Sequence, residues 1–202
     1  GTQSNMNINE VISNLISKAE GYPLGSNKPV HPNDHVNKSQ STNDTFPAAI
    51  HIATIKKIKD LLLPELKEIV HCLEEKETEW QNIIKIGRTH LQDAVPMTLG
   101  QEVSAWKMQI KEALIRIEES LIELYSLPLG GTAVGTGLNS PSNFANEINL
   151  EIRKITGLPF EQKENKFSIM ASHDGLVNTM SKLKLLSISL LKIANDIRLL
   201  SC

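Results

Sequence analysis

The sequence predicts an all-α protein, a bundle of long helices with its chemistry in the loops at their ends. Three observations predict this class. Apolar residues recur at spacings of three and four over three segments of more than twenty residues each. No stretch keeps the alternation of a half-buried strand. The polar and glycine-rich runs lie between the periodic segments, where turns belong.

In chain order, a short helix is predicted at Ile8–Ala19, closed by Gly21, and a polar loop follows from Gly21 to Asn43. The first long helix runs from Pro47 to about Trp80, with the stripe Ile55, Ile58, Leu62, Leu66, Ile69 and Leu73. At 1.5 Å per residue it is roughly 50 Å long. Pro64 inside it loosens or kinks the helix without having to end it. A second polar loop spans Lys85–Met97. The second long helix covers Leu99–Tyr125, with Trp106, Ile110, Ala113, Ile117, Leu121 and Leu124 in its stripe and Leu114 and Ile115 beside it. A glycine-rich loop, Leu127–Pro141, leads to a helix at about Ser142–Thr156, closed by Gly157. The third long helix runs from His173 to Leu200 with the stripe Leu183, Leu186, Leu190, Ile193, Ile197 and Leu200.

Each stripe is close to a seven-residue repeat, the pattern of helices packed nearly parallel. Ordinary globular helices average about 11–12 residues, so these are long for a compact monomer. Burial gains roughly 25 cal/mol per Å² of apolar surface, and broad stripes left wet forfeit that gain. The expected state is an oligomer.

Composition narrows the function classes. With 40% hydrophobic and 22% charged residues the 202-residue chain suits one or two soluble globular domains. Aromatic residues are only 4%, so the core is aliphatic. A net charge of −2 argues against nucleic acid as a bulk electrostatic partner, yet leaves room for a small anion held by local donors. Cys72 and Cys202 make no disulfide framework, and Cys72, on a helix stripe, reads as a small core residue. No run reaches transmembrane length, and the first residues lack signal-peptide parts, so the expectation is a soluble intracellular protein. The chain opens on Gly1-Thr2-Gln3-Ser4 with no initiator Met.

Three loops carry chemistry. The run His31-Pro32-Asn33-Asp34-His35 through Ser41-Thr42-Asn43-Asp44 consists almost wholly of hydrogen-bonding side chains and leads into the first long helix. It reads either as an N-cap, with Asn43 or Asp44 capping, or as a carboxylate site built from a helix N-terminus and neutral donors. His31 and His35 are four apart, but Pro32 disfavours a helix there, so a shared metal is not expected. In Gly87-Arg88-Thr89-His90, the histidine is a residue type that serves as general acid or base. Downstream, Thr98 and Gln101 fit a capping box. The stretch Leu129–Asn139 holds four glycines between positions 130 and 138. It lacks a Gly-Lys-Ser/Thr ending and a preceding strand, so it reads as a turn or a ligand wall rather than a phosphate loop.

Taken together, the runs Gly1–Glu10, His31–Pro47, Gly87–Glu102, Gly130–Asn139 and Ala194–Ser201 resemble class II fumarases, in that order and at similar separations. The resemblance implies the central helical domain of the fumarase/aspartase superfamily, a homotetramer whose active sites are shared between subunits. It implies reversible hydration of fumarate to (S)-malate in the tricarboxylic acid cycle, with no cofactor and no metal. Thr2, Ser41, Thr42 and Asn43 would bind substrate carboxylates. Thr89 would lie against substrate, with His90 in the acid–base machinery. His31, Pro32, Asn33 and Asp34 would form a second dicarboxylate site. Residues 1–43 would close an N-terminal region carrying substrate loops, and 44–202 would be the helical domain.

One departure from the family pattern is plain. The family's general base is a serine on a mobile Ser-Ser-Ile-Met-Pro-Gly-Lys-Val-Asn-Pro-like loop, and the sequence contains no such segment. A fragment, inactive alone, is therefore expected. Two rivals remain. Aspartate ammonia-lyase suits Thr42 and Val95–Leu99, but His90 and His31 stand against it. A catalytically inactive helical scaffold is the other. Neither nucleic acid nor membrane is an expected partner; bacterial cytoplasm or mitochondrial matrix is the expected location.

Overall fold

A computed structural model describes residues 1–201. Cys202, read above with Cys72, lies outside the described residues. The helices are α1 (Thr2–Ala19), α2 (Thr42–Lys57), α3 (Leu63–Glu79), α4 (Leu99–Ser120), α5 (Phe144–Thr156), α6 (Lys166–Ala171) and α7 (Asp174–Leu200). Four strands accompany them: β1 (Ile84–Thr89), β2 (Gln92–Thr98), β3 (Ser126–Leu127) and β4 (Glu161–Gln162). Compactness divides the chain into two units, each assembled from two stretches of sequence. The first holds Gly1–Thr54 and Glu123–Asp174; the second holds Ile55–Ile122 and the chain from Gly175 on. Compactness is a different criterion from the family-based boundary after residue 43.

In the first unit, α1 buries a polar face. Ser13 and Ser17 donate to the Val30 and Lys28 carbonyls, both at 2.6 Å. Asn5 and Asn9 donate to the Asn37 side-chain oxygen at 3.2 and 3.1 Å. The apolar residues Ile8, Val11, Ile12 and Leu15 face outward. These hydrogen bonds fix the Lys28–Asn37 segment, whose backbone would otherwise be unpaired. The α5 helix ends on Gly157 in the left-handed conformation, as the sequence predicts. Its Arg153 donates to the Phe160 carbonyl, and Phe160 is fully buried with Tyr125 edge-on at 5.5 Å. The parallel pairs Ser126↔Glu161 and Leu127↔Gln162 join the two halves of this corner.

In the second unit, α3 and α4 pack antiparallel. Lys67 pairs with Glu118 at 3.7 Å near one end and Lys107 with Glu77 at 2.5 Å near the other. Close approach is set by Gly100, where a Cβ would meet the Glu77 carbonyl at 2.7 Å. The predicted α4 stripe is buried throughout, from Trp106 to Leu121. In α7, Trp106 meets Asp196 at 3.0 Å and the Ser120 carbonyl meets Thr179 at 3.3 Å, so α7 also runs antiparallel to α4.

Three expectations need correction. First, helical structure continues from Thr42 to Glu79, but residues 58–62 form a π-helical turn, with the Leu63 amide bonded to the Ile58 carbonyl. Pro64 has no N–H for the Asp60 carbonyl, and the widened turn accommodates that loss. It also inserts one residue into the repeat. Leu63 is buried where Leu62 was expected, and Ile69 and Cys72 turn outward. Cys72 is thus a surface thiol; desolvation and the nearby Glu68 carboxylate push it above its ordinary value.

Second, the Lys85–Met97 loop is a β-hairpin, β1 against β2, with a bulge at Gly87 between the pairs Ile86↔Pro96 and Arg88↔Asp93. Its strands are mostly exposed, so no alternation marks them in sequence. Third, in the α7 stripe Leu186 and Ile193 are buried, but Leu190, Ile197 and Leu200 are exposed.

Candidate functional site

The start of α2 is the first centre of chemistry. Ser41 is the N-cap rather than Asn43 or Asp44: its hydroxyl accepts from the Asn43 amide at 3.2 Å, and Asp44 reaches back to the Ser41 amide at 3.1 Å. This is the reciprocal logic of a capping box with aspartate in the third position. Asp44 is fully buried, and its second oxygen accepts from the Thr132 amide at 2.8 Å. Burial pushes its carboxyl above the ordinary value, while the amides of Ser41, Thr132 and Gly130 pull it back. Asn43 donates its side-chain amide to the Ala133 carbonyl at 2.8 Å. Two bonds thereby lash the glycine-rich loop to the first turn of α2. Gly130 lets the loop pass α5, since a Cβ there would sit 2.6 Å from that of Ala145.

Between these parts lies a cavity of about 560 Å³, bordered by Thr2, Thr42, Asn43, Ala133, Phe167 and His173 among others. Thr42 also accepts from Asn5 at 3.0 Å. Thr2, at the first position of α1, comes into the same cavity as Thr42 and Asn43 from 40 residues away. Ser41 borders a neighbouring cavity of about 310 Å³ with the glycine-rich loop instead. His173, Phe167 and Met170 were not singled out in the sequence. They come from α6 and the step into α7, a segment with no loop-like composition to draw attention. Behind the cavity, His51 is 5% exposed and its Nδ1 lies 3.2 Å from the Leu124 carbonyl. Burial, with a smaller contribution from the His173 charge, holds its imidazole below the ordinary value, so it is neutral near pH 7.

The run at His31 forms a single π-type turn, Pro32–Val36, with His31 as its cap. The His31 Nδ1 accepts from the Asn33 and Asp34 amides at 3.3 and 3.2 Å. The His35 Nδ1 accepts from the His31 amide at 2.8 Å. Each ring nitrogen that serves the backbone is deprotonated, so each Nε2 carries the proton and is a donor. Pro32 is buried and Asp34 is exposed.

Thr89 and His90 belong to the second unit. Thr89 ends β1, paired with Gln92, and His90 and Leu91 form the two-residue turn. Both have positive φ, 50° and 62°, as a type I′ turn demands, although neither is Gly or Asn. His90 borders a cavity of about 530 Å³ with Lys85, Arg88, Glu102, Lys192 and Asp196. There Lys85 pairs with Glu102 and Lys192 with Asp196. The Lys85 pair ties β1 to α4, and the capping box Thr98–Gln101, predicted from sequence, closes at 3.0 and 3.1 Å. Among the described residues no group of three or more His, Cys, Asp or Glu is placed to hold a metal ion.

The sequence profile of the lyase family matches residues 1–202. The chain is 63% identical over 202 residues to the class II fumarate hydratase of Prochlorococcus marinus strain MIT 9313, covering all of this chain and 43% of that protein. It is 53% identical over 200 residues to the mitochondrial fumarate hydratase of Homo sapiens, covering 99% of this chain and 39% of that one. Its fold matches the crystal structure of class II fumarase from Schistosoma mansoni with a TM-score of 0.93 at 39% identity, over 97% of this chain and 44% of that one. It also matches a fumarate lyase:delta crystallin from Brucella melitensis bound to cobalt, with a TM-score of 0.95 at 40% identity, over all of this chain and 44% of that one. The chain spans less than half the length of these relatives.

Proposed function

This chain belongs to the lyase family, and from that premise we propose that the protein is a class II fumarate hydratase, adding water to fumarate to give (S)-malate in the tricarboxylic acid cycle. The observation that carries the reading is the convergence of Thr2, Thr42 and Asn43 on one cavity. These are the residues that the family resemblance assigns to a substrate carboxylate.

The chemistry asks for such donors. Malate loses the proton from C3, and the electron pair spreads into the adjacent carboxylate as an aci-carboxylate. The C2 hydroxyl then leaves as water and the double bond forms; hydration is the reverse. Charge grows on one carboxylate, so donors fixed before reaction gain most, and loss of one costs about 10²–10³ in rate in comparable sites. Thr2, Thr42 and Asn43 hold a carboxylate in this scheme. Ser41 acts beside them by fixing the Asn43 backbone. Thr89 adds a donor, and His90 moves a proton at the reacting end. His31, Pro32, Asn33 and Asp34 make an accessory dicarboxylate site, where the His31 Nε2 proton serves as a donor. No metal or cofactor enters the reading.

The protein assembles as a homotetramer in this proposal. Support comes from α7, whose Val177, Met180, Ile188 and Leu191 are 55–66% exposed. Among the described residues no helix is long and apolar enough to cross a membrane. Bacterial cytoplasm or mitochondrial matrix is the proposed location.

The test is the fall of fumarate's ultraviolet absorbance with malate formation, using the longest form the coding frame supplies beside the 202-residue chain. Activity unaffected by a chelator is expected from the long form. Ammonia-dependent aspartate formation without malate would transfer the assignment to an ammonia-lyase. Light scattering on the same samples reads the assembly, and a folded micromolar monomer would remove the tetramer.

A further inference from the structure

The cavity at the start of α2 poses an electrostatic problem. A C4 dicarboxylate brings two negative charges, and burying charge without compensation is costly. Thr2, Thr42 and Asn43 are neutral donors, and the rest of the border is apolar apart from one residue. His173 is the only ionisable side chain among the described residues that border the cavity. The other histidine nearby does not help. His51 is buried, its Nδ1 faces the Leu124 carbonyl, and burial favours its neutral form. The α2 N-terminus adds a partial positive charge of about half a unit, less than either carboxylate carries.

We propose that His173 is a substrate-binding and specificity-determining residue of this cavity, supplying as imidazolium the positive charge that selects a dicarboxylate. The proposal rests on reading the cavity as a dicarboxylate site. Three placements support it. His173 follows α6 and precedes α7 by one residue, so it is held between two helices. Its ring is exposed to the cavity side of the unit rather than packed in the core, which leaves its charge affordable. Phe167 and Met170, one helical turn apart on α6, give that side of the cavity an apolar floor that strengthens a charge–charge contact.

The experiment compares wild type, His173→Gln and His173→Arg, in the longest form the coding frame supplies. Calorimetry measures binding of succinate, a non-reacting C4 dicarboxylate, and of butyrate, its singly charged counterpart. Kinetics measure KM for fumarate. A charge-assisted hydrogen bond implies roughly a tenfold to hundredfold effect. His173→Gln is therefore expected to weaken succinate and raise KM by about tenfold or more, with butyrate nearly unchanged. His173→Arg should retain succinate within about threefold, because it restores charge with a different shape. Circular dichroism confirms that each variant is folded. Succinate binding unchanged in His173→Gln would overturn the proposal. So would equal losses in both variants, which would mark a steric role. If wild type binds succinate through His173 but does not hydrate fumarate, the charge role stands and the hydratase reading falls.

Discussion

The Asp44 carboxylate accepts the Thr132 amide at 2.8 Å across 88 residues of sequence, and Thr132 is held there at a φ of 56°. A β-branched residue rarely adopts that conformation. The bond offsets the strain and fastens the glycine-rich loop to the helix whose first turn carries Thr42 and Asn43.

Asp44→Asn is expected to destabilise the protein by about 1–3 kcal/mol at neutral pH, because one buried amide loses its acceptor. Chemical denaturation measures this. The pH dependence has a definite sign. Burial raises the Asp44 carboxyl above its ordinary value of 3.8. The folded state therefore binds that proton more tightly than the unfolded one. Its contribution is fully present below the unfolded value and is lost as pH rises through the folded value. Wild type should accordingly gain on Asp44→Asn as pH falls through that acid window. A stability difference independent of pH would contradict the assignment.

Leu91 is 78% exposed and left-handed. Leu91→Gly relieves roughly 1–2 kcal/mol of backbone strain and returns about 0.5–1 kcal/mol in chain entropy. A net stabilisation of up to about 1 kcal/mol is expected in denaturant titrations. Clear destabilisation would mean that Leu91 is packed against something in the assembled protein.

The two histidine sites separate by substitution. His90→Asn keeps a residue that tolerates positive φ, so the turn survives while kcat falls by about 10²-fold or more, the scale of a lost acid–base group. His31→Asn keeps an oxygen to accept the Asn33 and Asp34 amides, as asparagine caps do, and kcat should stay within several-fold. Equal damage in two folded proteins would merge the sites that the proposed function keeps apart.

The π-helical turn makes neighbouring leucines unequal. Leu63 is 4% exposed, whereas Leu62 is half-buried. Leu63→Ala should cost about 2–4 kcal/mol and Leu62→Ala clearly less, measured by thermal or chemical unfolding. The reverse order would restore the unbroken heptad register.

The sequence by itself determined the helices, the closing Gly157, the capping box at Thr98–Gln101 and the apolar face of α4. These are local: side chains three or four apart decide them, and no distant partner is needed. It also carried the family motifs, and so the identities of Thr2, Asn43 and His90. Tertiary structure alone decided the rest. The π-helical turn before Pro64 shifted the buried face by one residue, a choice between two nearly equal local geometries. The hairpin at Thr89–Gln92 arose in a segment without alternation, since its strands pair only with each other and stay largely exposed. Asp44 found Thr132, and His173 came to the cavity of Thr2 and Asn43, because packing brought those segments together. Contacts across tens of residues depend on how helices pack, and no periodicity in a single sequence records that.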